Sequence, residues 1–305
     1  MMPEYRSEPR QPLMSLINLL FLALLGTLLF TVLGVLTSCL VYGFSVLNGL
    51  QSGAFEIGAL KIIQLFSSIG TFIFPAVFFS RQESNKPFEY LKLNTKIDLR
   101  LVALAVIILY AFTPCIEWTI KMNQLMKLPS FLKAVEAWMR DKEMELEILT
   151  KQFLIMKSPT DLAINLFIIA IIPGIGEELL FRGCVQRVFT RWAKSHHFGI
   201  WIAAIIFSAI HVQFYGFVPR MLLGALFGYL FQWSGNLFVP MIAHFVNNGT
   251  AVIAAFMAQQ RGESIEIINK ESDFPFYLVL LSLVFTAILI AIFYRLSKMN
   301  TVSDE

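Results

Sequence analysis

Apolar residues run along this chain in blocks of about twenty, the length of helix that crosses a hydrocarbon layer roughly 30 Å thick. Residues 11–55 contain no Asp, Glu, Lys or Arg. They predict one long tilted helix over 14–47, or a helix followed by a re-entrant piece. This first block is too long for a cleaved signal peptide and reads as a retained helix. A second span is expected over 57–80, with Lys61 near its start and Pro75 as a kink, and a third over 101–120, with Glu117 near its far end. The pattern then changes. Residues 121–160 are charged, and "KAVEAWMRDKEMELEILTKQFLIMK" has apolar residues at helical spacing. It predicts either an amphipathic helix lying on the membrane surface or a solvated helical connection.

Beyond this, a fourth span starts near Asp161, a fifth covers 198–213, a sixth 217–233 and a seventh 237–259, the last two parted by "WSGNLFVP". An eighth, 274–294, ends at Arg295.

Composition agrees with this reading. The 305 residues are 57% hydrophobic and 15% charged, where a soluble domain carries about 25% charged residues. The expected fold is an all-α, polytopic transmembrane bundle of about eight spans, with the lipid bilayer as its first partner and no nucleic acid among the others. Cys39, Cys115 and Cys184 lie in or beside apolar blocks without paired or metal-type spacing, so they read as packing residues.

Basic residues add an orientation. The connection "RQESNKPFEYLKLNTKIDLR" carries five Lys/Arg, the one after span four has Arg187, Arg191 and Lys194, and the tails have Arg6, Arg10, Arg295 and Lys298. With eight spans all of these share one side. The positive-inside rule then places both termini of a multi-pass cell-membrane protein in the cytoplasm.

Three charges break the fourth span, in "PGIGEELLFRG" at 173–183. A charge at mid-bilayer costs about 2.5–3.5 kcal/mol even on lenient insertion scales. Glu178 and Arg182 are four apart, share a helix face and can neutralise each other. Glu177 is turned by about 100° and needs another partner. Later spans offer candidates one helical turn apart: Phe207 with His211, and His244 with Asn248. Lining one shared cavity is the simplest way to keep these groups out of lipid.

A carboxylate in such a cavity can take a proton from water and later return it to a leaving group. A histidine and an asparagine amide can donate to a developing oxyanion. That is equipment for hydrolysing an amide. No Ser or Cys nucleophile is spaced with these groups, and His196 and His197 read as surface residues.

Together the motifs resemble the CPBP intramembrane proteases, which include the type II CAAX-prenyl endopeptidases and the bacterial Abi and bacteriocin-immunity proteins. The resemblance rests on Glu177, Glu178 and Arg182; Phe207 and His211; and His244 and Asn248, in that order. It divides the chain into an N-terminal transmembrane region with its amphipathic connection (1–160), a catalytic core (161–260), and a last span with the C-tail (261–305). It implies Glu177 as the base that activates water with help from His211, and His244 and Asn248 as oxyanion donors. Glu178, Arg182 and Phe207 are implied as supports, and the substrate as a membrane-attached polypeptide cut near its C-terminus. A metal-free site is favoured; zinc held by His211 and His244 is the alternative. A non-catalytic immunity or scaffold member and a proton-coupled transporter are the rival functions.

Overall fold

In the computed structural model, residues 11–52, 56–263 and 274–303 are described; Arg6 and Arg10, invoked for the orientation, lie outside them. The described residues are helical and contain no strand. The principal helices are α1 (Pro12–Tyr42), α2 (Val46–Ser52), α3 (Ile57–Glu83), α4 (Leu99–Gln124), α5 (Lys133–Phe153), α6 (Pro159–Ala193), α7 (His196–Ala209), α8 (Phe217–Ser234), α9 (Phe238–Gln260) and α10 (Phe276–Ser303). The first apolar block is therefore a helix followed by a short second piece.

The expected count of spans needs one correction. Seven helices among the described residues (α1, α3, α4, α6, α8, α9 and α10) are long and apolar enough to cross a membrane. The fifth predicted span is α7, whose 14 residues reach only about 21 Å. Its backbone leaves the helix at Ile210 and turns at Val212, a β-branched residue held at φ 54°. A second correction concerns the last span. It does not stop at Arg295 but continues as helix to Ser303, because nothing in "RLSKMNTVS" breaks a helix.

Even with α7 short, the described helices make eight passes that alternate in direction. At one end of the bundle, Arg191 of α6 pairs with Glu83 of α3 at 2.9 Å and donates to Ser15 of α1 at 3.0 Å. There also Asn236, after α8, donates to the carbonyl of Thr95 at 3.0 Å, and Trp233 packs on Tyr294 of α10. At the other end, Asn123 of α4 donates to the carbonyl of Phe214 at 2.9 Å, and Gln259 of α9 donates to Leu154, just after α5, at 2.8 Å. The start of α1 and the end of α10 thus share one end, the one that also carries Lys86, Lys92, Arg187 and Arg191.

The central helix is α6. In its most apolar stretch 61% of residues are buried, against 22–28% in α1, α3, α4 and α10. In lipid there is no hydrophobic drive between helices, so close backbone packing at small residues takes its place. Gly174 shows this: a methyl group there would lie 3.1 Å from the backbone nitrogen of Phe245 and 3.3 Å from the carbonyl oxygen of Met241. The close approach brings α9 against the acidic stretch of α6. Two π turns, Leu166–Ile171 and Phe181–Val185, flank that stretch. In α3 the break expected at Pro75 takes the form of a π turn over Ile69–Ile73.

Helix α5 buries none of its residues in the bundle. It lies over the turn that follows α7: Trp138 packs on Phe214, and Arg140 sits 4.6 Å above the Tyr215 ring.

Candidate active site

A cavity of about 670 Å³ opens between α4, α5, α6, α8 and α9. Glu177, His211, His244 and Asn248 all line it. Glu178 and Arg182 do not; they are 0% and 1% exposed, behind the cavity wall. The two neighbouring glutamates thus face different surroundings, as a helical turn of about 100° per residue requires.

Behind the wall, Arg182 Nη1 donates to Glu178 Oε1 at 2.8 Å, and Nη2 donates to the carbonyl of Gly224 on α8 at 2.8 Å. The guanidinium lies 4.9 Å from the centre of the Phe207 ring and 5.6 Å from that of Phe227. Glu178 Oε1 also receives Nδ1 of His244 at 2.8 Å. This network neutralises the buried arginine and fixes the α9 histidine at once. Phe207 has a defined place in it: its ring covers Arg182 and meets the rings of His211 at 5.0 Å and His244 at 6.1 Å.

On the cavity side, His244 Nε2 stands 3.7 Å from Glu177 Oε2. Glu177 therefore has a neighbour, yet stays outside the Glu178–Arg182 pair. His211 lies just past the end of α7. Its Nδ1 is 2.7 Å from the carbonyl oxygen of Phe207. A carbonyl only accepts, so Nδ1 carries the proton, and in the neutral ring Nε2 keeps its lone pair. The same logic applies to His244: with Nδ1–H given to Glu178, Nε2 can donate only when both nitrogens are protonated.

Asn248 has a second task that the sequence reading did not include. Pro173 has no N–H to offer the carbonyl of Ile169 four residues back. Asn248 Nδ2 donates to that carbonyl at 3.1 Å. Its Oδ1 accepts from Asn247 at 3.1 Å. One N–H of the Asn248 amide is thereby engaged, and the other is left for a ligand.

Sequence reasoning missed Gln64, Glu143, Arg220 and Asn247, which also line the cavity. A signal for Arg220 was present: it is the one Asp, Glu, Lys or Arg between Lys194 and Arg261.

Among the described residues no three His, Cys, Asp or Glu side chains form a set able to hold a metal ion. His211 and His244 both keep Nε2 open, but they do not gather a third ligand in this arrangement. A zinc site needs three protein ligands at about 2.0–2.2 Å around one point.

The chain is 32% identical over 105 residues to an uncharacterized protein, YpbD, of Bacillus subtilis (strain 168); the match covers 33% of this chain and 48% of the relative. The chain thus spans about half the length of that curated relative. No solved structure matches. Residues 159–250 match the type II CAAX prenyl endopeptidase Rce1-like family, and this segment holds all seven motif residues, from Glu177 to Asn248. Over that segment, the chain is similar to the Rce1-like family of type II CAAX prenyl endopeptidases.

Proposed function

We propose that this chain is an intramembrane endopeptidase that hydrolyses a peptide bond of a membrane-attached polypeptide near its C-terminus. One observation carries the reading: Glu177, His211, His244 and Asn248, drawn from two helices and the turn after α7, line a single cavity. A scaffold has no use for a cavity-facing Glu177 backed by a separate Glu178 that pairs with Arg182 and His244.

The mechanism follows from the bonding of each group. A water between Glu177 and Nε2 of His211 gives up a proton to Glu177 as its oxygen attacks the substrate carbonyl. The oxyanion is met by the unengaged N–H of Asn248 and by Nε2–H of doubly protonated His244, which lies between Glu178 and Glu177. Collapse of the tetrahedral intermediate breaks the C–N bond, and Glu177 delivers its proton to the departing amine. Glu178 and Arg182 touch no substrate; they hold His244 in register. Each of these steps is assigned to side chains alone. We also assign the basic end of the bundle, with both chain termini, to the cytoplasm.

Fragment proteomics tests the function in cells. C-terminal fragments present with the wild-type protein should vanish with Glu177→Ala at equal protein level. An unchanged fragment set contradicts the reading.

A further inference from the structure

A second cavity, of about 340 Å³, opens at the basic end of the bundle and shares no lining residue with the candidate active site. It has the size of a small-ligand pocket, roughly 300–1,000 Å³. Three segments meet there: the connection between α3 and α4, the last turns of α6, and the end of α8. Lys92, Arg187 and Arg191 line it, and among the described residues no Asp or Glu does. Arg191 is answered by Glu83 at 2.9 Å, but its buried Nε has no hydrogen-bond partner. Lys92 and Arg187 form no ion pair among the described residues. Arg187 instead donates to the Tyr90 carbonyl and lies 4.3 Å over the Tyr90 ring, which leaves most of its five N–H donors open. The backbone holds Lys92 in place. Its φ is 56°, uncommon for a residue with a β carbon, and its carbonyl accepts from the Leu237 N–H at 3.2 Å. The positive-inside rule accounts for basic residues at this end. It does not account for their convergence from separate segments on one concavity with charge left unanswered.

We infer that this cavity binds a phosphate ester, and that the head group of an anionic phospholipid in the adjoining leaflet supplies it. Arginine forks and a lysine ammonium are the side chains that take phosphate oxygens. The cavity lies at head-group depth. Trp192 follows Arg191, Trp233 follows Gln232, and Tyr294 packs on Trp233; Trp and Tyr collect at the membrane interface. Lipid head groups surround the bundle at that depth, and basic pockets between spans take anionic ones. A soluble phosphate ester has to come from dilute solution. A bound head group ties the three segments together beside the wall of the active site. Gln186, which lines the cavity, donates to the Gly228 carbonyl of α8 at 3.2 Å, one turn beyond the bond from Arg182 to the Gly224 carbonyl. The inference needs neither the peptidase reading nor the orientation.

The test is lipid binding by purified full-length protein in a neutral detergent. Melting midpoints are compared with added phosphatidylglycerol, phosphatidylcholine and inorganic phosphate, and native mass spectrometry measures the lipid retained. A ligand that binds the folded state raises its midpoint. Phosphatidylglycerol should raise it and phosphatidylcholine should not; inorganic phosphate at equal concentration should have no such effect. Lys92→Gln and Arg187→Gln should each weaken phosphatidylglycerol binding about 10-fold, the loss expected for a charge-assisted hydrogen bond. Lys86→Gln removes a charge at the same end but outside the cavity, and should bind the lipid as the wild type does. Lys92 is exposed, so its variant keeps the test open if Arg187→Gln does not fold. An equal response to the two lipids overturns the inference. So does undiminished phosphatidylglycerol binding by folded Lys92→Gln protein, or an equal loss in Lys86→Gln. A midpoint raised as far by inorganic phosphate overturns the phospholipid as the source.

Discussion

Glu178 holds His244 through a 2.8 Å hydrogen bond from the ring Nδ1 to Oε1, the same oxygen that pairs with Arg182. One carboxylate therefore does two things. It neutralises a buried arginine, and it fixes which histidine nitrogen faces the cavity. Removing its charge leaves Arg182 uncompensated in an apolar setting, a change that costs about 3–5 kcal/mol for a buried pair. Glu178→Gln should lower folded yield and thermal midpoint in detergent, and turnover with them. Size-exclusion yield and a melting curve check this; wild-type values for both would contradict it.

Asn248 couples to Pro173 through the carbonyl of Ile169. Pro173→Ala returns an N–H to the helix, which can serve that carbonyl itself. Asn248→Ala should therefore destabilise by about 1 kcal/mol when Pro173 is present and by clearly less in the Pro173→Ala background. Turnover should be lost in both, because the oxyanion donor is gone in both. Four melting curves and four rates close the cycle. Strict additivity of the stabilities would show that the bond carries no weight.

How much of this was legible in the sequence depends on the range of the contact. The pairing of Glu178 with Arg182 was readable, because four residues of helix set it. The joining of Glu178 to His244 was not, since it depends on Gly174 letting α9 approach α6. The shortness of α7 was hidden for another reason. Residues 210–217 are mostly apolar, so hydropathy runs on past the point where the backbone turns at Val212. Apolar content reports where a segment sits, not how far its helix continues. Asn248 as a cap for Ile169 was open to inference from Pro173, but only with knowledge of which helix faces it. Arg220 stood alone in an apolar stretch and was passed over because no motif includes it.

Orientation can be checked at Lys86, an exposed position at the basic end. With that end in the cytoplasm, Lys86→Cys in a cysteine-free background should resist an impermeant thiol reagent in intact cells and react after lysis. Labelling of intact cells would reverse the orientation.

The metal question has a direct readout. His211 and His244 lack a third ligand among the described residues, and the water-activating steps are assigned to side chains alone. Cleavage of membrane-attached polypeptide by the purified protein should survive dialysis against a strong chelator. Loss on chelation, with recovery on one equivalent of zinc, would overturn the metal-free mechanism, since zinc would then supply the Lewis acid and the activated water.

The central claim is that Glu177, and not its neighbour, performs the chemistry. Glu177 lines the cavity and stands outside the Glu178–Arg182 pair, so Glu177→Gln should leave the buried network whole. The decisive measurement is cleavage of membrane-attached polypeptide beside a melting curve, for wild type and Glu177→Gln purified in parallel. The predicted result is an unchanged melting midpoint with cleavage reduced at least 100-fold, about the lower end of what a positioned general base contributes. A well-folded Glu177→Gln protein that cleaves at the wild-type rate, or one that loses cleavage only because it no longer folds, would contradict the claim.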